Sequence, residues 1–116
     1  AAILGIGSNG HIGMNEPGTS ILLHSHVAEI APETQAVGQK YFTTPQRLSH
    51  GITVGIADLM EAKYVLLLAS GSKKAAIIKN VLEEEISEAL PATVLRRHAG
   101  FKIYLDAEAA QEAQPS

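Results

Sequence analysis

The stretch Gly5–Gly18, with the sequence GIGSNGHIGMNEPG, constrains the fold of this chain more than any other. It follows a short apolar run, Ala2–Ile6, of the kind that forms a buried parallel strand. Gly10, Gly13, Pro17 and Gly18 then deny the next residues a regular helix, since glycine loses the most backbone entropy and proline lacks a donor. The chain must leave a core strand into a long irregular loop, Ser8–Ser20. Open α/β sheets bind their ligands at such places, beyond the carboxyl ends of strands.

The rest of the pattern repeats the alternation. Ile21–Ile30 reads as an extended edge, and Pro32 opens a helix reaching about Phe42 until Thr43-Thr44-Pro45 breaks it. Leu48–Gly55 leads into a helix over Ile56–Ala62. Tyr64–Ala69 is the clearest strand, and Ser70-Gly71-Ser72 turns it into the clearest helix. There Ala75, Ile78, Val81 or Leu82, and Ile86 recur at helical spacing, with Ser72 as N-cap. Pro91–His98 reads as a short helical or irregular turn, Phe101–Leu105 as a last strand, and Asp106 as the cap of a last short helix. Strands alternating with helices predict an α/β fold, a Rossmann-like and mostly parallel sheet flanked by helices. Residues 1–116 read as a single α/β segment whose tail, 111–116, is frayed.

Length permits one domain. The net charge of −3 argues against general nucleic-acid binding. No apolar run reaches the roughly 18 residues that cross a bilayer, so no membrane partner is expected, and no signal peptide is read. The absence of cysteine excludes disulfides, thiolate metal sites and cysteine nucleophiles, and suits a cytoplasmic setting. Ala1 opens the chain directly into a core strand without an initiator methionine, so the expectation is a piece of something longer.

Gly5-Ile6-Gly7-Ser8-Asn9-Gly10 matches the dinucleotide fingerprint G-x-G-x-x-G literally, and Glu29 lies where a ribose-binding acid would stand. The fingerprint requires a helix starting inside the motif to hold the pyrophosphate, and the glycines and proline after Gly10 oppose one. The better reading is acid/base chemistry. Histidine is a residue type suited to general acid/base work, so His11 is the candidate; Glu16 can orient and charge-stabilise it, and Asn9 can hold one tautomer. The flanking Gly7 and Gly10 let backbone approach a small ligand. On spacing alone this stands level with a loop whose polar groups satisfy their own backbone.

The combination of Gly10-His11 with Asn15-Glu16-Pro17-Gly18 resembles the signature of the glucosamine-6-phosphate deaminase family. That family includes galactosamine-6-phosphate isomerases and is related to the 6-phosphogluconolactonases, which lack the Asn-Glu-Pro part. The resemblance continues through Lys40-Tyr41-Phe42, Gly51–Ile56, Val65–Lys74 and Ala92–Asp106, and covers what looks like the C-terminal half of a member. It implies conversion of a phosphorylated amino sugar to a ketose 6-phosphate plus ammonia, by ring opening and aldose–ketose isomerisation, without metal or redox cofactor. It implies a cytoplasmic homo-oligomer as the intact protein. His11 would be the ring-opening acid/base, with Glu16 its charge partner and Asn9 where many members carry aspartate. Lys74 would hold the substrate phosphate, and Lys40 stands where the family typically has arginine, keeping the charge but losing the bidentate fork. The carboxylate that moves the proton between carbons, and a phosphate loop, belong to the family's other half. The isolated chain is therefore expected not to turn over. A non-catalytic sugar-phosphate-binding domain and a lactonase-like hydrolase are the rival readings.

His24 and His26 would share a face on a strand and could bind metal, but no third ligand has obvious spacing, so surface histidines are favoured. Glu83-Glu84-Glu85 reads as a solvated helix end, Arg96-Arg97-His98 as a surface turn rather than an anion site, and Tyr41 and Phe42 as core. Lys73 beside Lys74 leaves open which of the two faces the site.

Overall fold

The apolar runs at each end of the chain and at its middle meet in one parallel sheet, seen in a computed structural model that describes residues 1–39, 43–44 and 49–113. Strand β1 (Ala2–Leu4) leads through the glycine loop to β2 (His26–Glu29), and α1 (Pro32–Gly38) follows. Then come β3 (His50–Thr53), α2 (Ile56–Glu61), β4 (Val65–Ala69), α3 (Ala75–Glu83) and β5 (Phe101–Leu105). The sheet order is β1-β4-β5, all parallel, with Ile3 opposite Leu66 and Leu67 opposite Ile103. Strands β2 and β3 stand apart as an antiparallel ribbon, with Val27 opposite Ile52. The extended edge expected over Ile21–Ile30 thus narrows to His26–Glu29, and it pairs outside the parallel sheet.

One face of the sheet carries the core. Val65 and Leu67 are fully buried and pack with Ile12, Ile56, Ile78, Val81 and Leu95. Helix α3 buries Ala75, Ile78 and Val81, the stripe its periodicity predicts, and Ile77 beside it. Each fully buried aliphatic side chain contributes about 1.5–3 kcal/mol. On the opposite face Ile3, Leu68 and Tyr104 remain exposed. All-parallel sheets are ordinarily covered on both faces, so this one has a bare side.

Several boundaries move for physical reasons. Ser72 does not cap α3: it opens a one-turn 3-10 segment, Ser72–Lys74, and Lys74 occupies the N-cap without a side-chain bond. Ile86 lies beyond the helix end at Glu83, where the chain has already turned, yet it still packs against the core. Pro91 starts a 3-10 segment to Arg97, buried as far as Leu95 and held by Thr93, whose hydroxyl donates to Leu90 O at 2.7 Å. Asp106 caps a turn instead of a helix, accepting from Ala109 N–H at 2.8 Å. Gln111–Ala113 continue that turn, and 114–116 lie outside the described residues. So do Lys40, Tyr41 and Phe42, with the end of the expected helix beyond α1. Glu83, Glu84 and Glu85 are exposed as expected. Arg96 does more than decorate a surface turn, because its guanidinium donates to Val81 O and Glu84 O and so caps the end of α3.

Candidate active site

After β1 the chain makes two tight turns in succession. Gly7 N–H donates to His11 O at 3.0 Å, and Gly10 N–H donates to Gly7 O at 2.9 Å. No helix begins here, which removes the anion-holding terminus that dinucleotide binding needs. Gly10 has φ +85°, a backbone conformation that side chains rarely adopt. At Gly7 the need is space, because a β-carbon there would overlap the His11 imidazole. The second turn is pinned from inside: buried Asn15 donates through Nδ2 to Ile12 O and Val54 O, both at 2.9 Å. Met14 N–H donates to Thr53 Oγ1 at 3.0 Å, tying the loop to the end of β3.

Within this frame Asn9 joins the two titratable groups. Its Oδ1 accepts from His11 N–H at 3.1 Å and from His11 Nδ1 at 2.8 Å. Its Nδ2 donates to Glu16 Oε2 at 2.9 Å. These partners assign the amide orientation, and they place the imidazole hydrogen on Nδ1, leaving the lone pair of neutral His11 on Nε2. Glu16 does not bond His11 directly: its buried Oε1 stands 3.6 Å from Nδ1 and has no hydrogen-bond partner among the described residues. The sequence pairs His11 with Glu16; the fold inserts Asn9 between them. Thr34, from α1, brings Oγ1 to 3.4 Å from the same Nδ1.

The His11 ring faces a cleft of about 530 Å³, lined also by Gly5, Gly7, Ser8, Thr34 and both Lys73 and Lys74. That volume suits a small polar metabolite. Of the two lysines, Lys74 is the anchored one, donating from Nζ to Ile6 O at 2.6 Å. Lys40 lies outside the described residues, so of the two expected phosphate ligands Lys74 is placed at the cleft. The Lys74 corner is held from the end of β5: the Asp106 carboxylate accepts from Gly71 N–H at 3.1 Å, where Gly71 has φ +89°. Sequence reasoning missed Thr34 and this second role of Asp106. For Thr34 no spacing signal exists. For Asp106 the register decides it, because Leu105 pairs with Ala69 and sets the next residues of the two strands side by side, a pairing that appears only in the fold.

The histidine pair resolves differently from a shared strand face. Strand β2 begins only at His26, whose Nδ1 donates to His24 O at 2.7 Å. His24 turns instead to α2, donating from Nδ1 to Asp58 Oδ1 at 2.6 Å. That bond and the Asp58 charge hold His24 above the usual histidine range, and Asp58 is held below the usual carboxylate range by the same bond and by Gly55 N–H.

Residues 1–104 match the profile of the family described as glucosamine-6-phosphate isomerases/6-phosphogluconolactonase. Glucosamine-6-phosphate deaminase of Bacillus cytotoxicus is 46% identical over 108 residues, covering 92% of this chain and 41% of that protein. The deaminase of Shouchella clausii is 46% identical over 109 residues, 93% of this chain and 44% of its own length. A solved structure described as a monomeric glucosamine-6-phosphate deaminase, the missing link of the NagB superfamily, superposes with TM-score 0.89 at 40% identity. It is covered over 46% of its chain, and this chain over 95%. The 6-phosphogluconolactonase of Leishmania guyanensis superposes with TM-score 0.71 at 24% identity, over 97% of this chain and 41% of its own, a likeness of fold. The chain thus spans less than half the length of the relatives it matches.

Proposed function

Because this chain belongs to the glucosamine-6-phosphate isomerase/6-phosphogluconolactonase family, we propose that it carries the acid/base loop of an amino-sugar-6-phosphate deaminase/isomerase. The intact protein converts glucosamine- or galactosamine-6-phosphate and one water to a ketose 6-phosphate and ammonia. The observation that carries this reading is the His11–Asn9–Glu16 chain of contacts beside the cleft.

Ring opening needs a proton taken from the anomeric hydroxyl and one returned to the ring oxygen. Nε2 of His11 performs both transfers, since Nδ1 is committed to Asn9. The imidazolium formed between them is stabilised by the Glu16 charge, acting at 3.6 Å and through the Asn9 amide. Gly7 keeps the loop backbone open to the sugar, whereas Gly10, expected to do the same, is buried against Leu90 and Ile77 and serves the turn instead. Lys74 and Lys40 hold the phosphate, with lysine a point charge where a fork would add geometry. The chemistry moves protons and needs no cofactor. Proton transfer between the sugar carbons requires a further carboxylate, supplied by the rest of the intact protein, so the isolated chain does not turn over. The bare sheet face with Ile3, Leu68 and Tyr104 supports the reading of this chain as the C-terminal part of a larger domain. The proposal includes a cytoplasmic setting, as the cysteine-free composition suits. No helix among the described residues is long and apolar enough to cross a membrane. The proposal also includes a homo-oligomeric intact protein, although the 40%-identical relative is described as monomeric; sedimentation of the intact protein decides between them.

The test is ammonia release from glucosamine- and galactosamine-6-phosphate by the intact protein. Release lost in His11→Gln supports the proposal. Binding of the sugar phosphate without release would establish the non-catalytic alternative. Hydrolysis of 6-phosphogluconolactone instead would establish the lactonase one, since the family's description spans both activities.

A further inference from the structure

His24, Asp58 and Glu61 form a second group of convergent side chains that shares no residue with the His11 cleft. Asp58 and Glu61 are three apart on α2 and so lie on one side of it. The loop before β2 delivers His24 to that side, because Leu23 O accepts from Ala57 N–H at 3.1 Å at the start of the helix. The crossing is close: Gly55 has no room for a β-carbon against the carbonyls of Leu23 and His24. One donor atom from each of the three side chains lies within 4.8 Å of the other two. Among the described residues this is the one such group of three or more.

The bonding makes it more than a charge cluster. A carboxylate oxygen only accepts, so the 2.6 Å contact with Asp58 Oδ1 keeps a hydrogen on His24 Nδ1, and in the neutral ring, which a metal ion selects, the lone pair is on Nε2. Glu61 Oε1 stands 4.0 Å from that Nε2. Asp58 is itself anchored, its Oδ2 accepting from Gly55 N–H at 3.0 Å and from Ser25 Oγ at 3.3 Å. We propose that His24 Nε2 and the Glu61 carboxylate form a surface site for a divalent cation of the zinc class, with Asp58 orienting the imidazole from behind.

An imidazole nitrogen with a carboxylate oxygen is a donor set for zinc-like ions rather than magnesium. Metal-bound nitrogen and oxygen sit about 2.0–2.2 Å from zinc, so two ligands of one ion stand roughly 3–3.5 Å apart. Closing from 4.0 Å asks for a small rotamer adjustment, open to side chains that are 60% and 71% exposed. A carboxylate behind a ligating histidine fixes its tautomer and strengthens it as a donor. Water completes the coordination. The other exposed imidazole with a near carboxylate, His50, has Glu29 at 3.8 Å but only Ser49 Oγ at Nδ1.

The experiment is a calorimetric titration of the tag-free intact protein with Zn²⁺, with Mg²⁺ as comparison, alongside nitrogen-edited spectra of the histidine rings. One saturable Zn²⁺ that shifts His24 Nε2, with none for Mg²⁺, is expected. His24→Ala should abolish binding, Glu61→Gln should weaken it at least about tenfold, and Asp58→Asn by about 10–100-fold. His26→Ala and His50→Ala should leave it unchanged. His24, Glu61 and His50 are exposed, and matched circular dichroism confirms the fold of each variant. Absence of saturable Zn²⁺ binding overturns the proposal, as does binding that survives His24→Ala or Glu61→Gln.

Discussion

The loop that carries His11 and the corner that carries Lys74 face one cleft, but they are held by different means. The His11 loop is held largely from within itself. Asn9, His11 and Glu16 lie within seven residues of one another, and their bonds are partly shielded from water. Asn15 and Thr53 pin the same loop to the end of β3 through buried side chains. The Lys74 corner is held from afar and in the open: Asp106, 35 residues away in sequence, accepts from Gly71 N–H at the surface. Hydrogen bonds shielded from water are stiff, and breaking one leaves unpaired groups where water cannot replace the partner. An exposed bond is replaced by water at small cost. A group that must move protons demands the first kind of support, whereas the turn that leads to an ammonium acting as a point charge tolerates the second, Lys74 itself being anchored on Ile6 O.

The largest effect that would separate the two regions is chemical. In the intact protein His11→Gln should lower turnover by about 10²–10⁴-fold while leaving the melting temperature nearly unchanged, as read by ammonia release and calorimetry. Unchanged turnover would remove His11 from the reaction. Next in size, Asn9→Ala strips one partner from both His11 and Glu16 and should destabilise the chain by about 1–3 kcal/mol in urea unfolding. Asp106→Ala at the other corner should cost about 1 kcal/mol or less, and should weaken phosphate binding a few-fold by loosening Gly71. If the Asp106 change cost more than the Asn9 change, the contrast between the two regions would be wrong. Smallest, Lys40→Arg should preserve or slightly improve sugar-phosphate affinity, because the fork adds a second hydrogen bond to an unchanged charge. A large loss would place Lys40 away from the phosphate.

The same contrast governs what can be read from the residues in order. The glycine turns are legible because glycine at positive φ, as at Gly10, and proline at Pro17 act on the local backbone. The strands β4 and β5 and the stripe of α3 are legible because burial imposes a period on the chain. The start of α3 moves by two residues, from an N-cap at Ser72 to one at Lys74, since Ser72 looks like a cap until Gly71 and Asp106 hold it in a 3-10 turn. Glu16 is recognisable as the charge near His11, but the order of contact, with Asn9 between, requires coordinates.

The order of residues alone therefore specifies local things: an α/β alternation, a strand emptied into a glycine loop, and the histidine, asparagine and glutamate that this loop must display. Every partnership made across the chain waits for the assembled fold. Thr34 reaches His11 from α1, Asp106 holds Gly71 across a parallel strand pair, and Asp58 with Glu61 turns His24 from a lone surface histidine into one corner of the proposed cation site. Local conformational preference acts between neighbours in the chain, whereas these contacts join residues 23, 34 and 35 positions apart, which meet only when the core has formed.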